Sequence, residues 1–158
     1  MSPPQFEDLF EQADALVARG RQVDLRRAIS AAYYGLFHFT LTAAADMVVG
    51  NNDRSSARYS LVYRSIDHSR LQQLSKQLTN VQNLALAPGG FGTVADFALI
   101  AGNLHELRNR ADYDPSSEYT VDEATTAIST ARAAVTWFQQ GTKQQQQAFL
   151  TLLLFKPR

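Results

Sequence analysis

The chain has 158 residues, 45% of them apolar and 19% charged, and no net formal charge. That profile fits one folded domain with a real core and excludes a disordered chain, and zero net charge argues against an obligate, charge-driven binder of long nucleic acid. The absence of cysteine rules out disulfides, thiol nucleophiles and thiolate metal sites, and makes a reducing cytoplasm the expected location.

Helical periodicity dominates from the first residues onward. Ser2-Pro3-Pro4-Gln5 has the form of a capping box with proline at the first helical position. Phe6, Leu9, Phe10, Ala13 and Val17 then fall on one face, and Gly20 is a natural stop. The acidic residues of this segment stand where a secretion signal needs basic ones, so no signal peptide is expected. Asp24 is expected to cap a long second helix running to about Val49. Small residues (Ala28, Ala31, Ala32, Gly35) alternate there with large ones (Ile29, Tyr33, Leu36, Phe37), as in a helix surrounded by close neighbours. Its apolar run carries His38 and Asp46, which favours the centre of a bundle over a bilayer span, and no membrane partner is expected.

Gly50 to Asp53 reads as a loop. Tyr59, Val62, Tyr63 and Ile66 make a short helical stripe, and Leu71, Leu74, Leu78 and Val81 another. Pro88-Gly89-Gly90 breaks the chain. A helix from about Thr93 carries Val94, Phe97, Ala98, Ala101, Leu104 and Ala111 and must end before Pro115. Thr120-x-x-Glu123 is a second capping box, opening a helix with Ala124, Ile128, Ala131, Val135 and Phe138 inward. The sum is an all-α, up-and-down bundle of about five to six helices over residues 1–142. A Gln/Leu-rich tail, 143–158, ends in the apolar run AFLTLLLF and either docks on the bundle or serves as an oligomer contact.

Signatures of phosphate loops, serine hydrolases and zinc proteases are missing, and no metal or cofactor is expected. Twelve arginines stand against three lysines. An arginine-rich genome writes such a bias, but the guanidinium fork also suits phosphate. The strongest local signal is His105-Glu106-Leu107-Arg108-Asn109-Arg110-Ala111-Asp112-Tyr113-Asp114-Pro115. Residues 105, 108 and 112 share a helix face, so Arg108 and Asp112 can pair as a plain helix-end salt bridge. The same residues, with Asn109, Arg110 and Tyr113, also form a terminus suited to gripping phosphate. A second cluster places Arg64 and His68 one turn apart, charge beside a proton acceptor, as metal-independent RNA cleavage requires. A solvated helix with a half-buried histidine is its plain alternative. Arg26-Arg27 either joins this surface or is simply exposed, and His38 reads as a satisfied core histidine.

Two segments together resemble a known family. Leu25-Arg26-Arg27-Ala28-Ile29-Ser30-Ala31-Ala32-Tyr33-Tyr34-Gly35-Leu36-Phe37-His38 is similar to the R-A-x-x-A-Y-Y-A-x-F-H helix of bacterial HEPN-domain proteins. Leu107 to Pro115 is similar to the R-x-x-A-D-Y segment that closes that domain. The likeness spans roughly residues 5–140. It implies a HEPN-like bundle that forms homodimers and binds RNA or a nucleotide. It further implies metal-independent ribonuclease activity of the toxin–antitoxin kind, beside a nucleotidyltransferase partner. A non-catalytic homodimeric interaction module is the alternative. In the nuclease branch the site is R-N-x-x-x-H. Arg108 and Asn109 match its first two positions, but Tyr113 stands at the histidine position. A phenol with a pKa of about 10 is a poor base at neutral pH, so His68 or His105 has to substitute if the site cleaves.

Overall fold

The computed structural model describes residues 5–157, and every regular element among them is helical. The order is α1 (Phe6–Arg19), α2 (Gln22–Val48), α3 (Ala57–Tyr63), α4 (His68–Gln77), α5 (Val81–Leu84), α6 (Thr93–Tyr113), α7 (Val121–Gln140) and α8 (Lys143–Leu154), with a 3-10 turn at Asn51–Asp53. The all-α bundle is as expected, but eight α-helices among the described residues exceed the five or six anticipated. Residues 57–84 supply one of the two extra helices, because the second stripe breaks at Leu78–Asn80 into α4, capped by Asp67, and the single-turn α5, which starts after Asn80. Val81 accordingly leaves the leucine stripe and is exposed at the head of the single-turn α5. The tail supplies the other extra helix, Thr142 forming a capping box with Gln145.

Other boundary signals act as expected. Gly20 closes α1 in the left-handed conformation (φ 73°), and Thr120 and Glu123 cap each other's backbone at the start of α7. The expected box at Ser2-Pro3-Pro4-Gln5 lies largely outside the described residues. Asp24 does not cap α2, which begins two residues earlier. It sits in the first turn and bonds the Arg21 guanidinium at 2.8 Å.

The central helix α2 is 27 residues long, and α1, α3, α6, α7 and α8 all pack on it. Its alanines at 28, 32, 44 and 45 are fully buried, which lets neighbouring backbones come close. Gly35 is required by one such approach, since a Cβ there would lie 2.5 Å from the ring of the buried Phe10. Edge-to-face rings of Phe6, Phe39, Phe97, Phe138 and Phe149 fill the far half of the core, each adding about 0.5–1.5 kcal/mol beyond its buried area. Of the two roles open to the tail, the structure shows docking: Phe149, Leu150, Leu152 and Leu153 are buried against the bundle. No helix among the described residues is long and apolar enough to cross a membrane.

Candidate functional site

Helical spacing on α6 brings His105, Arg108, Asn109 and Asp112 onto or beside one face, which meets Tyr33 and Tyr34 of α2. Arg108 is only 9% exposed. Its guanidinium donates to the Tyr34 hydroxyl and, at 2.8 Å, to Asn109 Oδ1. Nε lies 3.1 Å from Asp112 Oδ2, yet its N–H is not aimed at the carboxylate and makes no hydrogen bond. The contact is an ion pair by distance alone. The rings of Tyr34, Tyr33 and Tyr113 surround the cation at 5.0, 5.6 and 5.9 Å, a setting in which each contact is worth about 0.5–2 kcal/mol.

Both histidines that could substitute for a missing base reach this cluster. Asp67 accepts the Arg70 N–H at 2.7 Å and so starts α4 with His68 as its first residue. His68 stacks on Phe37 with centroids 4.0 Å apart, and its Nδ1 lies 2.8 Å from the Tyr33 hydroxyl. Burial pushes the Tyr33 phenol well above its ordinary range, so the hydroxyl stays protonated and donates. His68 Nδ1 is then the acceptor, and the neutral ring carries its proton on Nε2. His105 is buried, packs edge-on against Tyr33, and has its Nδ1 3.5 Å from the Asn109 amide. The two imidazoles are 6.4 Å apart.

Burial first, and the Arg108 charge second, hold both imidazoles below their ordinary pKa. The unfolded chain therefore takes up more protons in acid than the folded one. Stability is full above the unfolded value of 6.5 and is lost as pH falls through the lower folded values. We expect Tm to drop between about pH 7.5 and about pH 5.5, and His68→Gln to flatten that slope. A melting temperature that rises over the same interval would contradict this arrangement.

Other candidate residues fall elsewhere. Arg64 and His68 do not sit one turn apart on a helix, because α3 ends at Tyr63 and the Asp67 cap interrupts the chain between them. Arg64 is exposed and bonds only its own Ser60 carbonyl. Arg110 is exposed on the opposite side of α6. Tyr113 alone of these stays with the cluster, its ring beside the Arg108 cation although it is 73% exposed at the end of the same helix. His38 is satisfied by the Tyr63 hydroxyl, whose pKa burial pushes up to about 12.

Several contributors carry little mark of a site in the sequence. Tyr33 and Tyr34 stand out there only as part of the α2 pattern, although two adjacent phenols in a buried helix must find polar partners. Arg26 spans from α2 to the turn after α6, donating to the carbonyls of Ala111 at 3.0 Å, Asp114 at 2.9 Å and Ser117. Gln22 adds a two-way bond to the Tyr119 backbone. Arg70, also buried, donates to the Leu152 carbonyl at 3.0 Å and ties α8 to the helix that carries His68. Nothing in the local pattern around Arg70 marks it, since its partner is 82 residues away.

Solvent reaches the cluster beside Tyr34 and Asp112, where a cleft of about 400 Å³ opens between α1 and α2. Arg27 and Ser30 line it, and Ser30 donates to Asp112 at 3.2 Å. Tyr34 and Asp112 are the members of the cluster that line it, with the Arg108 guanidinium behind them. Among the described residues no group of three or more His, Asp or Glu side chains is placed to hold a metal ion. Comparison with models of protein families, with curated proteins and with solved structures finds no match to this chain.

Proposed function

We propose that this chain is a HEPN-type domain that holds a phosphate group of RNA or of a nucleotide at the Arg108 cluster, with His68 as the base for metal-independent cleavage. One observation carries the reading: His68 and His105, from separate helices, converge beside a single buried guanidinium. Chemistry of this type needs a proton taken from the ribose 2′-hydroxyl while charge grows on the phosphorus oxygens. A neutral imidazole serves the first need: Nε2 of His68 gives its proton to solvent while Nδ1 takes one from solvent, so that Nδ1 donates to the oxygen of the still-protonated Tyr33 and Nε2 is free to accept the ribose proton. Arg108 and Asn109 serve the second. Tyr113, exposed at the mouth, contributes a hydrogen bond or a stacking surface rather than a base. The family resemblance adds a homodimer with two facing sites, and a nucleotidyltransferase partner.

Fluorescence anisotropy with single-stranded RNA in the presence of EDTA tests the proposal. Arg108→Ala is expected to weaken binding at least about tenfold, roughly the 1.4 kcal/mol or more of a charge-assisted contact, and to abolish any cleavage. His68→Gln is expected to remove cleavage while leaving binding nearly intact. Because Arg108 is buried, Asn109→Ala at a half-buried position and Tyr113→Ala at an exposed one serve as companions that should weaken binding in folded protein. If all of these variants bind RNA like wild type, the proposal fails.

A second reading has its own support. The Arg108 fork is already engaged by Tyr34 and Asn109 and lies beside Asp112. A guanidinium committed in this way favours a non-catalytic bundle that acts by pairing with a second copy. On that reading wild type shows no measurable RNA affinity, and Arg108→Ala changes only stability.

A further inference from the structure

A separate cleft of about 470 Å³ lies at the other end of α2. Asp46, which borders it, is twelve residues beyond Tyr34, about 18 Å along the helix. This cleft is therefore distinct from the Arg108 cluster, and it can be occupied whether or not that cluster binds phosphate. Its volume is within the range of about 300–1,000 Å³ found for small-molecule sites.

The floor is aromatic and aliphatic: Phe6 from α1, Phe39 and Met47 from α2, Phe138 from α7 and Leu150 from α8. Phe6 is half-buried, with its ring edge-on to Phe39 at 5.2 Å, so the core's aromatic stack is continuous with the cleft. The rim is charged. Asp46 accepts from Arg54 at 2.7 and 3.1 Å and from the Tyr59 hydroxyl at 2.8 Å. Its charge is thus matched, and it holds Arg54 in place. Lys143, at the first position of α8, has no hydrogen-bond or ion-pair partner among the described residues. One solvent-exposed cation without a protein partner among the described residues stands above an apolar floor. A neutral ligand gains no charge contact from it, and a cationic one is repelled by it.

We propose that this cleft binds an organic carboxylate with an apolar body of medium acyl-chain size, its head on Lys143 and its body on Phe6, Phe39 and Phe138. Burial of such a chain supplies most of the affinity, and the head group supplies selectivity over uncharged analogues. The experiment uses the full chain and 8-anilinonaphthalene-1-sulfonate, a fluorescent anion with an apolar body, displaced in turn by decanoate, decanol and decylamine. Saturable probe binding is expected, with decanoate displacing it at least about tenfold more effectively than decylamine. Lys143→Glu places a carboxylate at an exposed helix start, where it is favourable for folding, and should weaken decanoate at least about tenfold. Ala43→Trp, which fills the cleft from α2, should remove probe and decanoate binding together, in protein whose far-ultraviolet circular dichroism and cooperative melting match wild type. Inorganic phosphate should not compete. Absence of saturable binding in wild type, equal displacement by decylamine, competition by phosphate, or a Lys143→Glu variant that binds like wild type would each overturn the assignment.

Discussion

Phe149→Ala is expected to destabilise the chain by about 3–5 kcal/mol, the range for deleting a fully buried aromatic ring, and to lower Tm by roughly 6–20 °C for a domain of this size. Phe149 has no exposed surface. Its ring meets Phe97 edge-on at 5.6 Å and Phe138 at 6.2 Å, so the loss combines transfer free energy with a cavity between α6, α7 and α8. The surrounding helices close that cavity only in part, because α2 behind them is already tightly packed. Calorimetry across a tenfold range of protein concentration provides the measurement. A Tm loss that is the same at every concentration marks α8 as part of its own bundle. A loss of less than about 2 °C, or one that appears only on dilution, would mean that the leucines of the tail serve an oligomer contact instead. The substitution has a second consequence. Arg70 joins the Leu152 carbonyl to α4, so loosening α8 should raise hydrogen exchange at the start of α4, where His68 sits.

Arg26→Met comes next in size, with an expected cost of roughly 2–4 kcal/mol. The methionine keeps most of the apolar stem and removes only the cation and its donors. Those donors satisfy carbonyls at Ala111 in the last turn of α6 and at Asp114 and Ser117 just past it, where helix carbonyls lack partners of their own. Each hydrogen bond to a charged group contributes about 1.5–3 kcal/mol. The contributions are not additive, and the site is only partly buried, so water replaces some of them. Urea unfolding checks the magnitude, and amide exchange over residues 113–119 checks the location. Arg27→Met is the control: Arg27 is exposed and bonds nothing among the described residues, so it should change stability by no more than about 0.5 kcal/mol. If the two variants unfold alike, Arg26 is not the clamp that the geometry suggests. If Arg26→Met alone frees the turn, the position of Tyr113 should loosen with it, which links this arginine of α2 to the mouth of the candidate site.

Position within the chain explains which features were legible. The Thr120–Glu123 capping box, the Gly20 stop and the α6 stripe are local: each depends on residues within one or two turns, and their chemistry is complete in the string of letters. Arg108 and Asp112 fall in the same class, since four residues on a helix bring two side chains together whatever surrounds them. Arg64 fails by the same logic. Its relation to His68 assumed an unbroken helix, and the Asp67 cap won over the apolar periodicity that suggested one. The tail shows where local information runs out, because AFLTLLLF has the same pattern whether it covers its own core or another chain.

By itself the sequence determined that this protein is all helical, where most of its helices start and stop, and that residues 105–113 present histidine, arginine and tyrosine together. Those outcomes follow from backbone propensity and side-chain period, which act over a few residues. Only the tertiary structure decided that His68 joins His105 beside Arg108, that Tyr33 and Tyr34 complete the cluster, that Arg26 and Arg70 clamp distant carbonyls, and that α8 closes the core. Each of these joins residues that lie tens of positions apart. Their geometry is set by how α2, α4, α6 and α8 pack, and a buried polar group takes whichever partner that packing brings within reach.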